Sequence, residues 1–416
     1  MTYSPIRLYT TLSVVLIVSV LVCPTTLRGE TRSRITLGFD SFIDRFTILE
    51  VDTAESVQEY YAGLGNDLLF KRERASGGLR NLFRIGTQTL DEHIDGELSL
   101  LPTPSTRIDI RSFFHYKHFQ ESSDYTFGND YLQLNSLLKV RRKMGESSRL
   151  TFRSRFEGID YERQNEFDYD YYYYDGGLEL EAGSLLRRMV RIAGFIGHRE
   201  APDTTEMNYR RSAGEIEAQL MLGDKALLHL YSMGDRRDYE GAVRSSYWLV
   251  LSQAELMITS LSGRSFSVKF ESEYMTYDEP TMIFFDNHFI RGSAGVRIPF
   301  GDRLSIKAEP RTARMFCRDF AEERYVEYTL HMGLELFGRD QFWLIAGYEP
   351  GYRDYVADPN DIYSDFYLNR LSLMGSIPLV KGFHINIFAM HDPENHMRRE
   401  DDFSVTLLSL DLTKRF

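Results

Sequence analysis

The feature that most constrains this chain is alternation. From about residue 75 to the end, segment after segment places apolar side chains at every second position with polar ones between. In residues 147–158, Leu150, Phe152, Ser154, Phe156 and Gly158 face one way, and Arg149, Thr151, Arg153, Arg155 and Glu157 face the other. Residues 324–337, 264–276 and 107–118 read the same way. A period of two belongs to a strand with one apolar face, because successive side chains of a strand point to opposite sides. No amphipathic helical stretch appears after residue 75. The runs are roughly 10 to 14 residues long, against about 9–11 for a tilted strand that crosses a bilayer and about 5–6 for most soluble strands. About 20 such segments can be marked, the two nearest the N-terminus weakly, and 18 is the even-numbered alternative.

The connections test this reading independently. Counted back from the C-terminus, residues 392–402 are long and charged, 380–382 short, 354–364 long and 338–340 short. The parity persists as far as 119–129, with tight turns near Gly301, Gly263, Gly223, Gly183 and residues 144–147. Tight turns at one rim and long loops at the other describe a transmembrane barrel. A soluble sandwich or propeller has no reason to keep such parity.

Composition removes the competing classes. The formal charge of −12 excludes a nucleic-acid partner, because nothing offsets phosphate repulsion. Tyr 26 and Phe 28 exclude a disordered chain, and a mean hydropathy of −0.34 excludes a bundle of membrane helices. Cys23 and Cys317 cannot form a disulfide framework or a cysteine-rich zinc site. A membrane protein that is polar on average must then be all-β: a single closed antiparallel transmembrane β-barrel of about 18–20 strands.

Arg7, the apolar run 12–23 and the polar stretch after it form a secretory signal peptide. Cleavage is expected after Gly29, so residues 1–29 are removed and 30–416 form the barrel. Val22 before Cys23 argues against a lipoprotein site. Residues 43–62 are expected as a loop or a segment that partly fills the mouth, too short for a separate plug coupled to an inner-membrane energy source.

The chain ends FSVTLLSLDLTKRF, with Phe416, Leu412, Leu410 and Leu408 on one face. A last strand closing on a terminal Phe resembles the assembly signal of bacterial outer-membrane β-barrel proteins, porin-like ones included. Lys414 and Asp411 depart from that pattern, standing where a hydrophobic residue and a glycine are usual. The resemblance implies a multi-pass barrel in the bacterial outer membrane. Its partners would be outer-membrane lipids and the outer-membrane barrel assembly machinery, and its oligomeric state a homo-trimer.

The polar face of the strands is strongly charged. Arg107, Arg111, His115 and Lys117, then Lys139 and Arg141, then Arg149, Arg153 and Arg155 make a basic band. Glu179 and Glu181, then Glu215 and Glu217, follow it, and Glu309, Glu327, Glu335 and Glu349 fall on the far wall among Lys307 and Arg311. So many charges cannot face a packed apolar core, whereas barrels of 16–18 strands already enclose water. The expected function is a porin-like channel for passive diffusion of small hydrophilic or anionic solutes, biased by a field between basic and acidic walls. The alternatives are an export channel for an anionic polysaccharide and a non-conducting structural or adhesion barrel.

No catalytic role is expected. The sequence has no Gly-rich phosphate loop, G-x-S-x-G elbow or HExxH pair, and no Ser–His pair that the sequence forces together. No cofactor or metal is expected: His391 and His396 read as loop residues, and Asp354, Asp358, Asn360, Asp361 and Asp365 as ordinary loop polarity. The run 168–175 (DYDYYYYD) reads as an aromatic interface belt, with a carbohydrate-stacking platform as the sharper option.

Overall fold

The structure, a computed structural model, describes residues 29–48, 51–120, 129–163, 168–184, 188–241, 244–339, 341–356 and 364–416. Residues 1–28, which carry the expected leader, lie outside this set, as do Asp358, Asn360 and Asp361. The chain forms one closed antiparallel sheet of 20 strands, the upper of the two expected counts.

The strands run in chain order around the ring. The first five are β1 (Gly29–Ile48), β2 (Val51–Lys71), β3 (Ala75–Gly86), β4 (Thr89–Thr103) and β5 (Thr106–Phe119). Then come β6 (Tyr131–Lys143), β7 (Ser148–Tyr161), β8 (Tyr171–Ser184), β9 (Arg188–Glu200) and β10 (Tyr209–Leu222). The second half comprises β11 (Ala226–Tyr239), β12 (Tyr247–Thr259), β13 (Ser265–Tyr277), β14 (Asn287–Phe300) and β15 (Leu304–Cys317). Last are β16 (Tyr325–Phe337), β17 (Trp343–Tyr355), β18 (Phe366–Pro378), β19 (Phe383–His396) and β20 (Phe403–Arg415). β1 closes the ring on β20 in the register Arg34 to Arg415 through Phe46 to Phe403.

Closure satisfies every edge, which lipid requires of a spanning sheet. The seam has its own lock. Tyr61 on β2 donates its hydroxyl to Asp411 on β20 across the intervening Gly38 of β1. A Cβ at Gly38 would stand 2.3 Å from the Tyr61 ring and 2.5 Å from the Asp411 carboxylate, so only glycine leaves room for the crossing. Asp411, anomalous as part of a terminal signal, is explained by this bond. Lys414, the other departure, lies over the rings of Phe383 and Phe416 at 5.1 and 4.6 Å, where an ammonium gains from the aromatic quadrupole.

The tight turns carry glycines at positive φ at 145, 183, 223, 263, 301 and 382. That conformation is open to glycine at little cost, which is why these connections are short. The opposite rim bears the long loops and is taken as the outer one. Its first two connections break the parity, since residues 49–50 and 87–88 are short. In place of a loop, residues 43–48 and 51–62 continue β1 and β2 as a strand pair, and β2 overshoots the end of β3 by residues 51–60.

Glu59 ties this projecting hairpin to the low β3–β4 turn. Its carboxylate, 3% exposed, accepts from the Thr89 amide at 3.0 Å, the Thr89 hydroxyl at 2.6 Å and Arg84 at 2.9 Å. Replacing Glu59 with Ala strands the two buried Thr89 donors, at a cost of about 2–3 kcal/mol, while Arg84 keeps Asp40. Limited proteolysis within residues 51–60 should then run roughly 10–100-fold faster while the barrel stays intact. Unchanged cleavage would show that the clamp does not hold the hairpin.

Candidate functional site: the inner wall

Which face points inward follows from contacts that skip a strand. Arg297 on β14 reaches Glu335 on β16 at 2.7 Å, and Arg311 on β15 reaches Glu349 on β17 at 2.7 Å. Arg211 on β10 reaches Tyr173 on β8 at 3.2 Å. Side chains within the strands converge in this way most readily on the concave side of a curved sheet. The opposite face carries exposed Ile35, Leu37, Phe152, Leu178, Ile192, Val268, Leu334, Leu408, Leu410 and Leu412. That apolar surface suits hydrocarbon.

The inner face holds the basic band on β5, β6 and β7. Asp109 takes Arg107 at 2.8 Å and Arg141 at 3.1 Å. Arg149 pairs with Glu181 at 2.5 Å. Asp175 on β8, whose side chain has no exposed surface, takes Arg155 at 2.9 Å, with Arg153 at 3.7 Å and Arg211 at 3.9 Å. Lys117 places its ammonium 5.0 Å above the Phe119 ring. Among the described residues, Arg111 and Lys139 have no carboxylate within 4 Å. Arg111 borders a recess of about 780 Å³ that Arg32, Arg80, Arg155, Asp67 and Glu97 also line.

The acidic residues have basic partners instead. Arg191 sits among Glu179, Glu215 and Glu217 at 3.5, 3.0 and 2.8 Å. Half a turn around the ring from β6 stands β16. On that wall, Glu309 takes Lys307 at 2.5 Å and Arg311 at 2.9 Å, Glu327 takes Arg353 at 2.6 Å, and Glu335 takes Arg297 and the Ser305 hydroxyl at 2.8 Å. Glu349 takes Arg311 and, at 3.5 Å, Arg370. The two walls do face each other, yet the far one is neutralised locally. On the basic side, Arg111 and Lys139 have no carboxylate within 4 Å among the described residues, although Asp95, Glu97 and Glu157 border the same recess as Arg111.

Above the band, aromatic rings line the outer mouth. Tyr209 is paired with Tyr239 and Tyr247 with Tyr277, Tyr239 and Tyr247 being diagonal neighbours across β11 and β12, and the successive ring centres are 5.2, 6.4 and 5.5 Å apart. Guanidinium groups sit between them, Arg237 being 5.3 Å from Tyr209 and 5.5 Å from Tyr247. The tyrosine run 171–174 divides between the faces. Tyr174 is exposed on the outer side, whereas Tyr173 is buried inside against Arg155 at 4.8 Å. Only half of that run belongs to an outward belt.

Two Ser–His pairs, invisible in the sequence, appear in the structure. Ser364 is 3.1 Å from His396 Nδ1, but it is 2% exposed and its hydroxyl donates to Asp401 at 2.7 Å, so the trio fastens the β17–β18 and β19–β20 loops together. Ser272 is 2.9 Å from His288 Nε2 on the outward face. A serine nucleophile needs its base oriented by a third group, and none among the described residues bonds the other nitrogen of His288. Asp365 accepts from the Tyr355 amide at 2.7 Å and the Tyr352 hydroxyl at 3.0 Å, a loop-fastening role.

No protein-family model and no curated protein matches the sequence. In fold the chain is similar to the alcaligin outer membrane receptor FauA from Bordetella pertussis, with TM-score 0.62, 11% identity, and 93% of this chain and 76% of that one covered. It is also similar to the siderophore receptor PirA from Pseudomonas aeruginosa (0.55, 10%, 93% and 80%). A third likeness is to the outer membrane protein OpdK from the same organism (0.51, 9%, 93% and 99%). At these identities the likeness is one of fold. The chain is a closed 20-strand antiparallel barrel of the kind found in the bacterial outer membrane.

Proposed function

We propose that the barrel is a porin-like channel through which small hydrophilic solutes, anions above all, diffuse across the outer membrane. The observation that supports this best is the uneven neutralisation of the inner wall. Carboxylates of β8–β10 and β15–β17 are held by local cations, while Arg111 and Lys139 on the β5–β7 wall keep their charge free. A charged inner face of this extent favours a hydrated lumen over a packed one. Free guanidinium and ammonium groups on one wall lower the energy of a passing carboxylate or phosphate without closing around it.

An exporter of an anionic polysaccharide would use the same band as a track, and saturable block of the current by the polymer separates it from a diffusion channel. The neighbours in fold are receptors and an outer membrane protein, not enzymes, which agrees with a non-catalytic role. Recognition of the terminal Phe416 by the assembly machinery belongs to the same proposal; Phe416 is exposed and its amide donates to the Ser33 carbonyl at 2.9 Å. The test is electrical: conductance of the refolded barrel in planar bilayers, and the sign of its reversal potential in a salt gradient.

A further inference from the structure

We propose that Asp91, His93 and His115 form a site for one divalent transition-metal ion on the inner wall, near the outer rim. β4 and β5 pair with His93 directly opposite His115. Such partners share a face with Cβ atoms about 4.5–5.5 Å apart. The two rings stack at 3.9 Å with an interplanar angle of 21°. Asp91 lies two residues before His93 on the same face, and its Oδ1 is 2.8 Å from Nε2 of each histidine. The three donor atoms lie within 4.8 Å of one another, and no other group of three has this property among the described residues.

Two imidazole nitrogens and one carboxylate oxygen suit zinc, copper, nickel or iron(II) better than calcium or magnesium, which favour all-oxygen sites. The surroundings support a ligand role. Arg84, the partner of Asp91 on β3, directs its guanidinium to Asp40 and Glu59. Lys117, its partner on β5, lies over Phe119. The carboxylate is therefore left to the histidines.

The second nitrogen of His115 also has a partner, since Nδ1 is 3.3 Å from the Tyr131 hydroxyl. Metal-bound imidazoles are usually oriented by such a bond from the other ring nitrogen. With a metal on Nε2, the Nδ1–H of His115 would donate to the Tyr131 hydroxyl oxygen. The side chains of His93, Asp91 and His115 are 30%, 15% and 12% exposed, so an ion reaches them from the lumen. The remaining coordination positions would stay open to solutes there. This site does not depend on the barrel conducting.

The experiment is equilibrium dialysis of the refolded full-length barrel in detergent against zinc chloride, with cobalt(II) as the spectroscopic probe. The expected result is one tightly held zinc ion per barrel and a visible cobalt band displaced by zinc. His93→Gln and His115→Gln should each abolish both signals while keeping heat-modifiable mobility. Tyr131→Phe, which spares all three ligands, should weaken binding about 10–100-fold. If a histidine variant fails to fold, Tyr131→Phe still decides. Equal zinc binding by wild type and the folded variants, or no zinc retained by wild type, would overturn the proposal.

Discussion

Reversing Arg111 and Lys139 together to glutamate should turn the channel from anion-selective to cation-selective. Both cations lie on the β5–β7 wall, and neither has a carboxylate within 4 Å among the described residues. Their fields therefore act on passing ions and not on a neighbour. The double reversal removes two positive charges from the wall and adds two negative ones among its arginines and lysines. In a tenfold gradient of a monovalent salt, where perfect selectivity gives about 59 mV, the reversal potential should move by some tens of millivolts and change sign. The neutral pair Arg111→Gln and Lys139→Gln should give about half the movement. An unchanged potential in a variant that still conducts would mean that these groups do not face the permeation path.

Asp175 offers the second large effect, and it separates stability from selectivity. Its fully buried carboxylate lies among Arg153, Arg155 and Arg211 and also accepts from the Tyr173 hydroxyl at 3.2 Å. Removing Asp175 leaves Arg153 and Arg155 without their carboxylate while Arg211 keeps Asp235 at 2.7 Å, and breaking a buried ion cluster typically costs about 3–5 kcal/mol. The guanidinium groups keep partial access to water, which places Asp175→Asn near the lower end, at about 3 kcal/mol. Denaturant unfolding of the refolded barrel should show that loss. The surviving folded protein should be more anion-selective than wild type, because one negative charge has left the basic side. A variant of unchanged stability would show that the three arginines do not rely on this carboxylate.

The architecture was legible because alternation and turn chemistry are local. A Gly in nearly every second connection, and runs too long for soluble strands, leave few folds for β6 to β20. The first hairpin was not legible. β1 and β2 carry Ser33, Ser41 and Asn66 on their outer face, and their outer connection is too short to punctuate the sequence, so the pattern blurs where the strands are longest.

Alternation also assigned each charged residue to a face, but partnership depends on cross-strand register, which alternation does not set. Hence the acidic wall reads as a free counter-charge in sequence. Register places Arg191 among Glu179, Glu215 and Glu217, and Arg311 between Glu309 and Glu349. Register likewise sets His93 against His115. His115 could be assigned inward from its own strand, yet nothing along the chain announces a partner 22 residues earlier on a neighbouring strand. The tyrosine run 171–174 was treated as one block, although a period of two had to divide it between the faces.

The central claim is an open lumen with free cations on one wall, and it is tested most directly by single-channel recording of the refolded wild-type barrel in planar bilayers under a salt gradient. The account predicts a stable conductance with a reversal potential on the anion-selective side. Silence from a sample whose barrel folding is confirmed by heat-modifiable mobility, or a steady cation preference, would contradict it.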